Sequence, residues 1–366
     1  MATISPWLRS FEAPIATFQQ FLSSCISLGA RRSVCGLLGG LFLLAAWPAF
    51  ATAAPPDAEV FIDSPFRFKQ ASQQQVSMEY KAHGNLLIIP VFLNGKGPYN
   101  FLLDTGIATS LITNPKLGRQ LGVQTTKAYN LSGVGKKAPV LAHRTNSVRV
   151  EFAGIEAPSI NFIIVTKQVV AFEALLGIQI HGILGYDLFR SFIVSIHPTL
   201  GQITFTEPTA PRPITDDSWS SLPIELDDSR PYITTNISVT GSQAIPLRLM
   251  LDTGANHALS LETASDSRLS LPPERQRANL GYGFSGLIQG YLGPIALLQL
   301  GAYQLRSLLT AFPDPHNLVD RVTVARSGTL GFDVLRRFDL IIDYPHNRLL
   351  LRPNSNHREQ FEQASL

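Results

Sequence analysis

Short apolar runs separated by turn-forming residues make up most of the chain. Five of them alternate between apolar and polar positions or are rich in β-branched and aromatic residues, and they lie at 86–93, 147–152, 160–165, 232–239 and 338–343. Helical periodicity is scarce, and only the stretches 186–191 and 332–337 suit short helices. The pattern therefore predicts an all-β protein.

Two motifs occur twice in the chain, in the same order. An apolar run ends in Asp-Thr-Gly at Asp104 and again at Asp252, and a Gly-x-Leu-Gly motif follows at Gly182 and Gly328. The spacing from Asp to the first Gly is 78 residues in one copy and 76 in the other. Repetition at matched spacing indicates two similar structural units in one chain.

The repeat and the composition between its copies predict the domain organisation. Pro208, Pro211 and Pro213 lie among polar residues between the copies, which suits a connector. We expect five segments: a leader at 1–53, an N-terminal lobe at 58–207, a linker at 208–221, a C-terminal lobe at 222–352 and a polar tail at 353–366.

The first residues resemble a secretory signal. Arg31 and Arg32 precede the uncharged run 34–47, and small residues follow around Ala51 and Ala53. We expect cleavage near those alanines and export to a periplasmic or extracellular location. An uncleaved leader that anchors the protein to the inner membrane is the alternative, because the uncharged segment through Ala54 just reaches the length of a membrane span.

The composition of the chain argues against several classes of function. The net charge of +3 is small for 366 residues, which argues against a nucleic-acid partner. The only cysteines, Cys25 and Cys35, lie in the leader, and the chain has neither a His-x-x-x-His pair nor a Gly-x-Ser-x-Gly motif. We therefore expect no metal and no cofactor.

The repeated aspartates suit hydrolysis by a carboxylate pair. An ionised carboxylate takes a proton from water while its protonated partner donates to the substrate carbonyl. A single Asp-Thr-Gly is ordinarily just a turn, but the matched repeat favours a pair. We predict that Asp104 and Asp252 are catalytic. Supporting roles fall to the loop residues Thr105, Gly106, Thr253 and Gly254, whose threonines can hydrogen-bond across to the opposite loop, and to the closely crossed glycines Gly182, Gly185, Gly328 and Gly331.

These motifs resemble those of the pepsin/retropepsin-like aspartic peptidases, and most closely those of bacterial retropepsin-like proteins with two lobes in one chain. The resemblance covers about residues 85–352. It implies two similar retropepsin-like β-barrel lobes of six to seven strands each, with an active-site cleft between them. It also implies water-mediated endopeptidase cleavage of a polypeptide substrate by a monomer that needs no cofactor.

Two other interpretations stay open. One is a peptide-binding envelope protein that has this fold but does not turn substrate over, since fold alone does not establish function. The other is an enzyme in which a single lobe works through homodimers, which two complete half-sites in one chain make unnecessary.

The resemblance also implies flaps, built from glycine-rich hairpins that close over the substrate. The candidates are Gly133, Val134 and Gly135 in the first lobe and Tyr282, Gly283 and Phe284 in the second. Ordinary turns are the alternative for both hairpins.

The loops depart from the family pattern at the residue after Asp-Thr-Gly. Ile107 and Ala255 carry no hydroxyl group that could donate to the neighbouring carboxylate. We therefore expect the pKa values of the pair to lie above those of pepsin-like relatives, with a mildly acidic optimum. Thr109, Ser110 or a backbone N–H could restore that bond. His257 is expected to be a surface or packing residue.

Overall fold

The computed structural model describes residues 64–131, 140–166, 177–211, 215–241, 243–283, 286–315, 325–359 and 361. The predicted leader and the first-lobe flap candidates Gly133, Val134 and Gly135 lie outside these residues, as does Phe284. All described residues belong to one compact unit, Asp57–Leu366. Within the described ranges, no helix has the length and apolarity needed to cross a membrane.

A nine-stranded sheet forms the first lobe in the described residues. Its order is β1-β9-β6-β10-β5-β4-β8-β7, with β3 paired to β4, and a further β8–β9 pairing curls it into a barrel. The strands are β1 (Arg67–Phe68), β3 (Lys81–His83), β4 (Leu86–Leu93), β5 (Lys96–Leu103), β6 (Leu111–Ile112), β7 (Thr125–Leu131), β8 (Val140–Phe152), β9 (Ile155–Val165) and β10 (Gly182–Leu184).

An eight-stranded sheet forms the second lobe in the same way. Its order is β14-β15-β16-β21-β17-β20-β19-β18, and a β15–β19 pairing curls it as β8–β9 does in the first lobe. The strands are β14 (Glu225–Asp227), β15 (Arg230–Ser238), β16 (Ile245–Leu251), β17 (Leu259–Leu261), β18 (Gln276–Gly283), β19 (Gly286–Leu300), β20 (Tyr303–Pro313) and β21 (Gly328–Leu330).

A third sheet joins the two halves of the chain. Its order is β13-β23-β22-β11-β12-β2, and the central pairing of β11 with β22 places Ser195 opposite Ile341. The strands are β2 (Gln75–Glu79), β11 (Ile193–His197), β12 (Gln202–Thr206), β13 (Ser220–Pro223), β22 (Phe338–Asp343) and β23 (Arg348–Pro353). Because this sheet draws strands from both lobes, the bounds 58–207 and 222–352 stay a prediction.

Helices are few and short in the described part of the chain. The first, α1 (Pro115–Gln120), begins after Asn114, whose side chain accepts a hydrogen bond from the Lys116 N–H and so caps the helix. The other two, α2 (Tyr186–Phe189) and α3 (Phe332–Leu335), follow the Gly-x-Leu-Gly motifs, and a 3₁₀ turn lies at Ser355–Arg358.

The predicted all-β fold class is confirmed, and the matching strand orders of the two sheets agree with two similar barrel lobes. Side chains of alternate strand residues fill one continuous core that runs through both lobes and the shared sheet. The sheets of the lobes have more strands than the predicted six to seven. Strands as short as β1 and β6, which have two residues each, extend the sheets beyond what the sequence pattern reveals.

Candidate active site

The two Asp-Thr-Gly motifs follow equivalent strands of the two lobes. Asp104 comes directly after β5, and Asp252 comes directly after β16. Strands β10 and β21 run parallel to β5 and β16. The backbone N–H of Asp104 donates to Leu184 O on β10 and that of Asp252 to Leu330 O on β21, both at 3.0 Å. Each aspartate is thereby held at the end of a buried strand.

Four hydrogen bonds between the lobes lock the two loops together. The N–H of Thr105 donates to Thr253 Oγ1 at 3.1 Å, and the N–H of Thr253 donates to Thr105 Oγ1 at 3.0 Å. Each hydroxyl then donates to the carbonyl before the opposite aspartate, Thr105 to Leu251 O at 2.7 Å and Thr253 to Leu103 O at 3.0 Å. Both threonines are fully buried, so these bonds are shielded from water.

The carboxyl groups of Asp104 and Asp252 approach each other closely enough for the charge of one to act on the other. The N–H of Gly106 donates to Asp104 Oδ1 at 2.7 Å, and that of Gly254 donates to Asp252 Oδ1 at 2.9 Å. A Cβ on Gly106 would come within 2.8 Å of the Asp252 carboxyl, and one on Gly254 would overlap that of Asp104. Glycine is therefore required at both positions to let the two carboxyls approach.

The environment of Asp104 favours its protonated form. The residue is only 9% exposed. Burial raises the pKa of Asp104 well above its ordinary value, the negative charge of Asp252 raises it further, and the Gly106 N–H opposes both. The two main causes of this rise in pKa are burial and the charge of Asp252, and neither involves the missing hydroxyl at Ile107 or Ala255. That the pKa values of the pair lie above those of pepsin-like relatives therefore stays a prediction.

The Gly-x-Leu-Gly glycines lie where chain segments cross behind the loops. A Cβ on Gly185 would come within 2.6 Å of the Ile107 carbonyl oxygen, and one on Gly331 would overlap the carbonyl oxygen of His257. The strand glycines are crowded too: Gly182 by the Phe101 ring and the Leu111 carbonyl oxygen, and Gly328 by the Ser260 carbonyl oxygen. Close crossing therefore accounts for all four glycines.

Sequence reasoning missed a buried tyrosine near the pair. Tyr344 is 2% exposed, and its ring lies 5.6 Å from that of Phe189. Burial and the charges of Asp104 and Asp252 raise the pKa of Tyr344 well above its ordinary value. The turn after β22 places it there, and no motif in the sequence signals that position.

His257 packs beside the second aspartate. Its Nε2 atom is buried and makes no hydrogen bond within the described residues. Burial lowers the pKa of His257, while the charges of Asp252 and Asp333 oppose that shift. The burial agrees with a packing role for this residue.

Arg230 is a second residue near the pair that the sequence did not single out. It lies at the start of β15 in the second lobe, and its Nε donates to the carbonyl oxygen of Gly106 in the first lobe at 3.1 Å. Its charge acts on Asp104 and opposes the rise in that residue's pKa. The contact joins residues 124 positions apart, which leaves no local signal in the sequence.

The second-lobe flap candidates lie at the tip of the β18–β19 hairpin. Tyr282 is 54% exposed and pairs with Leu287, and Gly283 pairs with Gly286. The flap role of these residues stays a prediction. Across the described ranges, no group of three or more His, Cys, Asp or Glu side chains is arranged to hold a metal ion.

Comparison with known proteins gives a partial family match. A family model described as aspartyl protease matches residues 89–188, which include the first Asp-Thr-Gly and Gly-x-Leu-Gly motifs. The crystal structure of an aspartic proteinase from Irpex lacteus matches with a TM-score of 0.47 and 14% identity, covering 79% of this chain and 100% of that chain. No curated protein matches the chain. The family match supports peptidase activity at a coarse level. The resemblance to pepsin/retropepsin-like aspartic peptidases that the repeated motifs predicted is thereby confirmed.

Proposed function

We propose that the protein is an aspartic endopeptidase that hydrolyses peptide bonds with Asp104 and Asp252 as its catalytic pair. The observation that carries this proposal is the close approach of two carboxyl groups, one from each lobe, at a junction that the lobes lock with four mutual hydrogen bonds. Two carboxyls in contact are costly to keep unless they share a proton. A site that brings them together is therefore suited to acid–base chemistry.

The pair performs both halves of the reaction. The ionised carboxylate takes a proton from a water molecule, and that water attacks the carbonyl carbon of the scissile bond. The protonated carboxyl donates to the carbonyl oxygen as negative charge develops there. The raised pKa of Asp104 favours a proton on that carboxyl, which is the protonation state this division of labour needs.

The rigid loops supply orientation. Thr105 and Thr253 fix the two backbones to each other, and the N–H groups of Gly106 and Gly254 fix one oxygen of each carboxyl. The second oxygen of each side chain stays available to the partner carboxyl and to substrate. Such pre-organisation lowers the entropic cost of reaching the transition state.

A cleavage assay with a peptide library tests the proposal. We expect cleavage in mildly acidic solution that a statine-type inhibitor blocks, since this transition-state analogue binds a paired-carboxyl site. Cleavage that persists in the presence of the inhibitor would contradict the carboxyl mechanism. Binding of library peptides without any cleavage would instead identify a peptide-binding protein of the same fold.

A further inference from the structure

The hairpin tips of the two lobes reach across to the opposite Asp-Thr-Gly loop, and one of them carries a charge. Between β14 and β15 the chain turns at Asp228 and Ser229, both with positive φ, and β15 begins at Arg230. The Arg230 Nε donates to the Gly106 carbonyl oxygen at 3.1 Å, while its Nη1 pairs with the Asp228 carboxylate. The hairpin therefore fixes the guanidinium against the loop that carries Asp104.

On the other side, the matching hairpin presents a neutral side chain. Asn85, with φ of 60° in the turn between β3 and β4, donates from Nδ2 to the carbonyl oxygen of Asn256 at 3.5 Å and to Asp333 Oδ1 at 3.4 Å. Both bonds are at the long end of the hydrogen-bond range. The first-lobe loop thus faces a cation, whereas the second-lobe loop faces an amide.

We propose that Arg230 is a positioning residue that holds the Gly106 carbonyl and, by its charge, makes the two halves of the carboxyl pair electrostatically unequal. The proposal rests on the proposed function of that pair. Arg230 acts through Gly106, whose N–H binds Asp104 Oδ1. It therefore need not contact the substrate.

Other charged and titratable groups also lie near the pair. Tyr344 faces both aspartates, and His257 faces Asp252 together with Asp333. Asp228 is the partner of Arg230, and the nearby Asp227 is paired with Arg248. Arg230 is a cation whose charge acts on Asp104.

The sign of the expected effect follows from that arrangement. A nearby cation favours the ionised form of a carboxyl, so removing it raises the pKa values of the pair. With Arg230 replaced by glutamine, the acid limb of kcat/KM against pH should move upward by about 0.5 to 1 pH unit, below the full effect of a buried cation because the side chain is partly exposed. Replacement by lysine should leave the acid limb near that of the wild type, since the charge remains, while kcat falls with the loss of the Nε bond.

The test combines kinetics with a readout that does not need activity. The purified protein, labelled with ¹³C at the aspartate carboxyl, is titrated by NMR, and Asp104→Asn and Asp252→Asn assign the two resonances. Arg230→Gln, Arg230→Lys and the control Arg149→Gln, which removes a surface arginine paired with Glu151 and Glu156, are compared with the wild type. The proposal predicts an upward shift of the titration for Arg230→Gln alone.

Three outcomes would overturn the proposal. One is a titration of Arg230→Gln that superimposes on the wild type, and another is a shift that Arg149→Gln reproduces. If Arg230→Gln does not fold, Asp228→Asn decides. Asn tolerates the positive φ at position 228, and removing the negative charge should lower the pKa values of the pair. If these pKa values do not fall, the proposal is overturned. An inactive wild type whose carboxyls still respond to Arg230→Gln would refute the proposed function and leave this inference standing.

Discussion

The two lobes build the same loop around each aspartate but differ in the residues beside it. In the first lobe, one row of paired positions runs across the face of the sheet that carries Asp104, and all its members are apolar: Ile88, Leu102, Ile183, Leu111 and Ile163. The matching row in the second lobe, on the face that carries Asp252, is mixed: Tyr232, Met250, Thr329, Ser260 and Ala311.

Two arginines contact residues of the second row. The guanidinium of Arg248 lies 3.8 Å from the centre of the Tyr232 ring, and Arg326 contacts both Met250 Sδ at 3.4 Å and Glu262 Oε1 at 2.9 Å. The first row instead packs into a small apolar cluster with residues of β7, β8 and β9. One wall beside the carboxyl pair is therefore hydrophobic, and the other is an ordered polar network.

The comparison of the two lobes separates positions where the residue type is constrained by the carboxyl pair from positions where it can vary. Positions that bring the carboxyls together recur in both lobes, because a Cβ or a missing hydroxyl would disturb the contact. Positions on the same strands but one or two residues away need only be satisfied by their neighbours. Walls of different polarity can thus flank two Asp-Thr-Gly loops of the same backbone arrangement.

Removing Arg326 should have the largest effect on stability. Its side chain is 16% exposed and that of Glu262 is 10% exposed, so Arg326→Met leaves a carboxylate buried without its partner. We expect the free energy of unfolding to fall by about 3 kcal/mol. Chemical denaturation measures it, and Arg326→Met with Glu262→Leu should recover most of the loss. A loss below about 1 kcal/mol in the single variant would show that the polar wall is not an integrated network.

Exchanging polarity between matched positions should have a smaller effect. Ile183 and Thr329 are equivalent, each being the second residue of its Gly-x-Leu-Gly motif. Ile183→Thr removes apolar volume and buries a hydroxyl in the apolar row, at a cost of about 1 to 3 kcal/mol. Thr329→Val should change stability by less than about 1 kcal/mol. Equal losses at the two positions, measured by denaturant unfolding, would contradict the difference between the walls.

The sequence predicted the regular parts of this picture well. Strands at 86–93 and 338–343 were predicted to the residue, because β-branched runs bounded by turns leave little choice. The long strands β19 and β20 were not predicted, since Gly290, Gly293 and Pro294 read locally as turn residues, although they lie inside a paired hairpin. Tertiary pairing overrides local preference there.

Some residues of the candidate site can likewise be predicted from the sequence, and others cannot. Repetition reveals Asp104 and Asp252, because a motif that occurs twice at matched spacing stands out without any structure. Arg230 and Asn85 do not stand out, since each acts across the lobe boundary from a turn whose own residues are ordinary. Contacts between distant turns depend on how the lobes pack, which a local pattern does not encode.

Removing one carboxyl of the pair should change stability in a pH-dependent way. The pKa of Asp104 is raised in the folded state, so the folded protein holds this proton more tightly than the unfolded chain does. The ionised form therefore costs stability once the pH rises through the folded pKa. We expect Asp104→Asn to raise Tm slightly at neutral pH and to lose that gain as the pH falls. A gain in Tm that is independent of pH would contradict the assigned repulsion.

The central claim is that the two lobes contribute one carboxyl each to a single catalytic unit, and a double-mutant cycle on cleavage tests it most directly. Asp104→Asn and Asp252→Asn should each lower kcat/KM by about a thousandfold or more while the protein stays folded, and the double variant should be no worse than either, because groups that act as a unit are not additive. Asp187→Asn, which removes a carboxylate paired with Arg190 on α2, serves as the control and should keep its activity. Activity above a few per cent of the wild type in either single variant, or losses that add in the double variant, would show that the carboxyls do not work as a pair.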